Sequence, residues 1–165
     1  MGVARATTAA DPRLQVYIER AEGRRGVPTN AEFAGWSLAA LRGARALRGA
    51  CELALRVVGS AEMQGMNAHY RGRDYATNVL SFPADAPPGV PLARRPLGDI
   101  VLCTEVVLRE AGEQGKAARA HWAHMTVHGV LHLLGHDHVR DDEAAVMEAL
   151  ERRILGRLGI ADPYA

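Results

Sequence analysis

The chain has 165 residues, 48% hydrophobic and 24% charged, with a formal net charge of +1 at pH 7. These are ordinary values for one globular domain large enough to bury a core without disulfides. No stretch approaches the roughly 18 apolar residues of a membrane span, and no signal-peptide core follows Arg5, so no membrane association and a cytoplasmic location are expected.

Residues 1–11 read as a flexible tail ahead of a single domain over 12–165. Leu14-Gln15-Val16-Tyr17-Ile18 alternates like a strand. Thr29 and Glu32 form a capping box behind Pro28 and open a helix to about Leu47. Cys51 to Val58 alternates as a second strand, Ser60 is placed to cap a helix to about Arg71, and Thr77 to Phe82 reads as a third strand. Residues 83–96 hold five of the eight prolines and read as an irregular loop. Leu97 to Cys103 is a fourth strand, with Thr104 placed to cap the following helix. Ala117 to Leu134 is a further helix. A last one starts at Asp141 or Asp142, with Ala145, Val146, Leu150, Ile154 and Leu158 on its apolar side. Intermixed strands and helices around one small sheet give an α/β or α+β arrangement.

Cys51 and Cys103 lie in strand-like apolar runs and read as core residues, not as a disulfide or metal ligands. The charge offers no strong basic footprint for nucleic acid. Arg42, Arg45 and Arg48 recur at three-residue spacing on one side of the first helix, as a solvated face or, less favoured, an RNA-contacting strip.

The most telling stretch is His128-Gly129-Val130-Leu131-His132-Leu133-Leu134-Gly135-His136-Asp137-His138. His128 and His132 are four residues apart, so on a helix they share a face with Cβ atoms roughly 6 Å apart. Two imidazoles so placed chelate a zinc ion. Gly135 can end the helix in the left-handed conformation, letting His138 return as a third ligand. Three histidines with an open fourth position describe a catalytic metal site better than a structural one.

The spacing H-x-x-x-H-x-x-G-x-x-H is also that of metzincin proteases. Those enzymes carry glutamate after the first histidine as general base, and here that position is Gly129, which argues against peptide hydrolysis. The glycine is expected to leave room beside the metal for a bulky substrate.

The histidine run resembles the signature of the YbeY family, bacterial single-domain metal-dependent endoribonucleases of ribosomal RNA maturation. Two further blocks support the resemblance. Asn67-Ala68-His69-Tyr70-Arg71-Gly72-Arg73-Asp74 with Thr77-Asn78-Val79-Leu80-Ser81-Phe82-Pro83 is similar to the family's N-x-x-Y-R-x-x-D-x-x-T-N-V-L-S-F-P. Leu97-Gly98-Asp99-Ile100 resembles its L-G-D-I strand. The resemblance implies a four-stranded mixed sheet with the metal helix across it, and one zinc per chain held by His128, His132 and His138. It places the family's functional arginine on Arg71, in a cleft between the metal helix and strand 77–82. It also implies single-stranded RNA as substrate, ribosome or small-subunit assembly components as partners, and no role on DNA. Residues 12–165 are then one metal-dependent hydrolase domain.

Several side chains carry two readings. Arg71 either forks onto a phosphate or ends a helix while pairing with Asp74. His136, where the family commonly has tyrosine, is either a fourth nitrogen near the metal or faces solvent. His121 and His124 share the helix face of His128 and either line the cleft and support the ligands, or pack beneath the site. Asp137 either fixes a ligand imidazole or bonds its own backbone in a turn. No general base stands in the motif; His124 and a second metal-bound water are the candidates. Three imidazoles suit zinc and also nickel, copper or iron. The rival functions are a non-catalytic ribosome-assembly factor with a structural metal and a metallohydrolase on another substrate, peptides included.

Overall fold

The computed structural model describes residues 4–21, 25–86 and 89–165. Among them run β1 (Arg5–Thr8), β2 (Leu14–Arg20), α1 (Asn30–Gly43), β3 (Cys51–Val58), α2 (Ser60–Arg71), β4 (Val79–Pro83), β5 (Arg95–Cys103), α3 (Thr104–Glu113), α4 (Ala118–Leu133) and α5 (Asp141–Arg157). The strands form one sheet in the order β1-β2-β3-β5-β4. β2, β3 and β5 are parallel, while β1 and β4 pair antiparallel at the two edges. The class is the expected α+β, but the sheet has five strands instead of four. The fifth is β1, which lies inside the segment expected to be a flexible tail. Its register of Arg5 on Ile18 and Thr8 on Gln15 comes from backbone pairing, and its side chains are mostly exposed. No apolar alternation marks it. Residues 1–3 of that tail and 87–88 of the proline-rich loop lie outside the described residues.

Alternation along the strands separates two cores. Leu14, Val16 and Ile18 of β2, Leu53, Leu55 and Val57 of β3, and Ile100 and Leu102 of β5 face one side. There they meet Phe33, Trp36 and Leu41 of α1 and Trp122, Val127 and Leu131 of α4. Val58, Leu80, Val101 and Cys103 face the other side and pack with Met63 of α2 and Val106 of α3. Both cysteines are free and buried, as expected of core residues. None of the described helices is long and apolar enough to cross a membrane.

The helix ends show where local signals were overruled. The Thr29–Glu32 capping box is present. Helix α1 nonetheless stops at Gly43, short of Leu47, because Arg45 turns left-handed at φ 55° and the Ala46 amide closes back on the Leu41 carbonyl. Arg45 and Arg48 therefore leave the helix and share no helical face with Arg42. Helix α2 is capped by Gly59, not Ser60, whose hydroxyl bonds the Glu105 carboxylate instead. Thr104 is already helical, with Cys103 at the cap position. On α5, Ala145 and Val146 are exposed and the buried stripe is Met147, Glu151, Ile154 and Leu155. Of the expected stripe, Ile154 is buried and Leu150 and Leu158 pack partly buried against the core, while Ala145 and Val146 give way to Met147 and Leu155 beside the buried Glu151 carboxylate.

Helix α4 crosses the sheet at close range. A Cβ built on Gly129 would lie 2.9 Å from Ile100 Cγ2 and 3.3 Å from Ser81 Oγ, and the Ser81 hydroxyl donates to the Gly129 carbonyl at 2.9 Å. Gly129 thus serves the helix–sheet approach. The room expected beside the metal is not what the glycine provides, because its missing side chain would point at the sheet. Gly129→Ala is expected to cost about 1–3 kcal/mol by overpacking. The checking measurement is the denaturant midpoint; an unchanged midpoint would mean that the helix–sheet spacing is not set here.

Candidate metal centre

Helix α4 carries apolar side chains on every side, the pattern of a helix enclosed by its neighbours. Trp122 and Val127 are within about 1% of full burial, and the indole N–H donates to the Gly26 carbonyl at 2.9 Å. One line along this helix is nonetheless imidazole. His121, His124, His128 and His132 follow at three- and four-residue spacing, with successive ring centroids 6.1, 6.2 and 4.6 Å apart. The row runs from the interior to the surface, His121 and His124 buried and His128 and His132 half-buried.

The helix ends as the glycine spacing predicts. Gly135 has φ 94°, its amide donates to the His132 carbonyl, and the His136 amide donates to the Leu131 carbonyl, both at 3.0 Å. This left-handed closure reverses the chain. It brings the exposed His138 ring to 5.5 Å from His128 and 5.1 Å from His132 between centroids. One ligand nitrogen from each of the three lies within 4.8 Å of the other two.

The donor set fits a metal ion. The Nε2 atoms of His128 and His132 are 3.0 Å apart. Two nitrogens on a tetrahedral zinc, each ~2.05 Å from the ion, sit ~3.3 Å from one another. Burial first, and then the adjacent His128 and His138 imidazoles, lower the His132 pKa to about 4, so its lone pair is available at neutral pH. The three histidines border a cleft.

Behind the three clustered histidines is a group that the sequence pattern did not bring out. Glu151 of α5 is fully buried. Its Oε1 accepts from His128 Nδ1 at 2.7 Å, and its Oε2 meets His124 Nε2 in a short contact. The Tyr164 hydroxyl donates to the same Oε2 at 2.6 Å. Burial alone would raise this carboxyl, but the bonds from His124 and His128 outweigh it and hold Glu151 at about 2. Burial, and then the bond to Glu151, push the Tyr164 phenol upward and keep it a donor. An anionic carboxylate on His128 Nδ1 requires the proton there and leaves Nε2 free for the metal. The available signal was an acid at the centre of an apolar stripe, four residues after Met147 and three before Ile154.

The remaining candidates fall into place around this centre. His124 faces Glu151 on the buried side, away from the open cleft, which suits support of the ligands and not abstraction of a substrate proton. His121 is turned aside to Glu110 Oε1 at 3.0 Å, and burial lowers its pKa. Asp137 Oδ1 accepts the His138 amide at 2.7 Å while lying 3.9 Å from His138 Nδ1, the arrangement of a turn aspartate. His136 borders the cleft but is not among the three clustered donors. Arg71 ends α2, exposed, in the same cleft as His128, His132 and His138, with Thr77 of the segment leading into β4 on its wall. It makes no hydrogen bond or ion pair among the described residues; Asp74 instead accepts from Gln64 at 3.0 Å.

Comparison with known proteins agrees with this architecture. The family model described as endoribonuclease YbeY matches residues 22–159. A Stenotrophomonas maltophilia (strain R551-3) protein named endoribonuclease YbeY is 58% identical over 160 residues, 96% of this chain and 98% of its own. A protein of the same name from Xanthomonas campestris pv. campestris (strain B100) is 55% identical over 160 residues, again covering 96% and 98% of the two chains. A solution structure of a Thermotoga maritima protein shares the fold, with a TM-score of 0.55 over 90% of this chain and 97% of that one, at 20% identity. The chain belongs to the YbeY endoribonuclease family.

Proposed function

We propose that this protein is a zinc-dependent endoribonuclease that cleaves single-stranded RNA in ribosomal RNA processing and ribosome maturation. In this reading residues 12–165 act as one hydrolase domain in the cytoplasm, meeting ribosome or small-subunit assembly components. The observation that carries it is the sharing of one cleft by three clustered imidazoles and an arginine that has no hydrogen bond or ion pair among the described residues. The family's name supports RNA as the substrate.

His128, His132 and His138 would hold the ion, which when bound supplies Lewis-acid polarisation of a phosphodiester and acidification of water. The protein's own part is orientation and charge. Glu151 sets the His128 tautomer. Arg71 presents a planar, permanently charged fork to a phosphate, where it offsets the negative charge that grows as the scissile bond is attacked. Its freedom from ion pairs among the described residues matters, since an arginine already neutralised by a carboxylate offers less to a substrate.

Both rivals lack support from the site. A structural zinc is closed by four protein donors, whereas three donors here border an open cleft. Peptide hydrolysis by the metzincin route wants a carboxylate at position 129, and a side chain there would run into Ile100.

Purified without a histidine tag, the parent is expected to hold about one metal per chain by mass spectrometry and to cut single-stranded RNA, as the open three-histidine site implies. His132→Ala is expected to lose both properties. Metal without cleavage by the parent would overturn the nuclease reading in favour of the assembly factor. Arg71→Ala is expected to retain metal and fold while losing roughly 100-fold or more in turnover, the scale of removing a transition-state charge partner. Equal cleavage rates for this variant and the parent would remove Arg71 from the mechanism.

A further inference from the structure

The C-terminal residues after α5 form no helix or strand, yet they are tied down at several points. The Tyr164 amide donates to Asp162 Oδ1 at 2.8 Å, and Arg152 Nε donates to the same oxygen at 3.2 Å. The Arg152 guanidinium lies 5.1 Å from the Tyr164 ring centroid, and Lys116 Nζ donates to the Pro163 carbonyl at 3.2 Å. The Tyr164 ring meets His124 edge-on at 5.5 Å. A segment without helix or strand ordinarily stays mobile unless something docks it. This one is docked so that a phenol reaches a fully buried carboxylate.

The proton inventory gives that contact its meaning. Glu151 is acceptor-only when ionised. Tyr164 O–H and His124 Nε2–H occupy Oε2, leaving Oε1 for His128 Nδ1–H. Were Oε2 short of a donor, the carboxylate would be free to rotate and share its oxygens differently, and the His128 ring would lose its fixed tautomer and direction. A second metal ion held by His124, His128 and Glu151 is the competing explanation of the same cluster. The separation argues against it, because His128 Nδ1 and Glu151 Oε1 stand a hydrogen-bond length of 2.7 Å apart while donors on one zinc sit ~3.3 Å apart.

We propose that Tyr164 is a positioning residue of the metal centre: the C-terminal segment latches its hydroxyl onto Glu151, which in turn holds His128 in the ligand tautomer. This rests on the reading of His128, His132 and His138 as the metal ligands. Tyr164 touches neither metal nor substrate and acts through Glu151 alone, so its removal weakens retention of the ion in a folded protein.

The test is zinc affinity, measured on the full-length folded protein by competition with a chromophoric chelator. Tyr164→Phe keeps the ring against His124 and Arg152 and is expected to weaken zinc binding roughly tenfold, the low end for loss of a ligand's supporting partner. Glu151→Gln is expected to weaken it at least as much, and adding Tyr164→Phe to Glu151→Gln to change it no further. A merely structural tyrosine would lower thermal stability equally in both backgrounds and leave the zinc Kd unchanged in each, which would overturn the proposal. So would two zinc ions per chain in the parent with the second lost in Glu151→Gln, since that outcome assigns the cluster to a second metal. Should Tyr164→Phe fail to fold, Asp162→Ala unties the segment without touching the carboxylate. It must then weaken zinc binding in the same direction, and an unchanged Kd there also overturns the latch. If the parent itself binds no zinc, it is the metal reading that falls.

Discussion

An ionised carboxylate at the centre of the helical layer is the constraint on which the rest of this structure turns. Removing Glu151 from water carries a penalty of several kcal/mol, which only well-placed hydrogen bonds offset. Two of its partners are histidines of α4 and the third is a tyrosine from the C-terminal segment. Together they fix how far α5 lies from α4, because a shift of one helix along the other would leave a buried charge unpaired. Apolar packing at Ile154 and Leu155 supplies driving force, but it tolerates sliding. The carboxylate does not. It therefore defines the α4–α5 register, and through His128 it carries that definition to the surface where the three clustered histidines meet.

Helix α4 reconciles two opposed demands on one element. Its sheet-facing side has to come close enough to β4 and β5 to bury Ile100 fully, and Gly129 permits that approach. Its other side carries imidazoles that need both a buried partner and an exposed mouth. A helix segregates these requirements because residues one apart project in different directions while residues four apart share a face. That geometry also explains why the motif can share metal spacing with a protease family and lack the glutamate that follows the first histidine there. The position after the first histidine is spent on packing against the sheet.

The parts of the fold visible in the sequence are those set by short-range chemistry. The β3 strand alternates residue by residue, the Thr29–Glu32 box marks a helix start, and the Gly135 turn brings His138 toward His128 and His132. What escaped were features that exist only by long-range contact. β1 has no pattern of its own and becomes a strand through the backbone of β2. Ser60 and Thr104 have the right chemistry for caps, but tertiary neighbours redirect the first, and the helix starts one residue early at the second. Arg45 in the left-handed region is a turn residue that no composition rule would choose. Glu151 was hidden for a related reason. A single acid in a helix is ordinarily a solvated charge, and its place between Met147 and Ile154 hints at burial without naming the partners, which only the packing of His124 and His128 opposite it reveals.

The same division separates what is robust in this architecture from what is delicate. A solved structure with 20% identity retains the layout, so the sheet and its helices need little beyond hydrophobic pattern and turn chemistry. The candidate site depends on something narrower, namely which nitrogen of one imidazole carries a proton. Pattern and volume do not specify that; only a directional acceptor does, and the acceptor must be held from the far side. Glu151 on α5 and the Tyr164 hydroxyl bonded to it both lie outside the histidine motif. A sequence can thus preserve all three clustered histidines and still lose the orientation of His128 through a change more than twenty residues away from it.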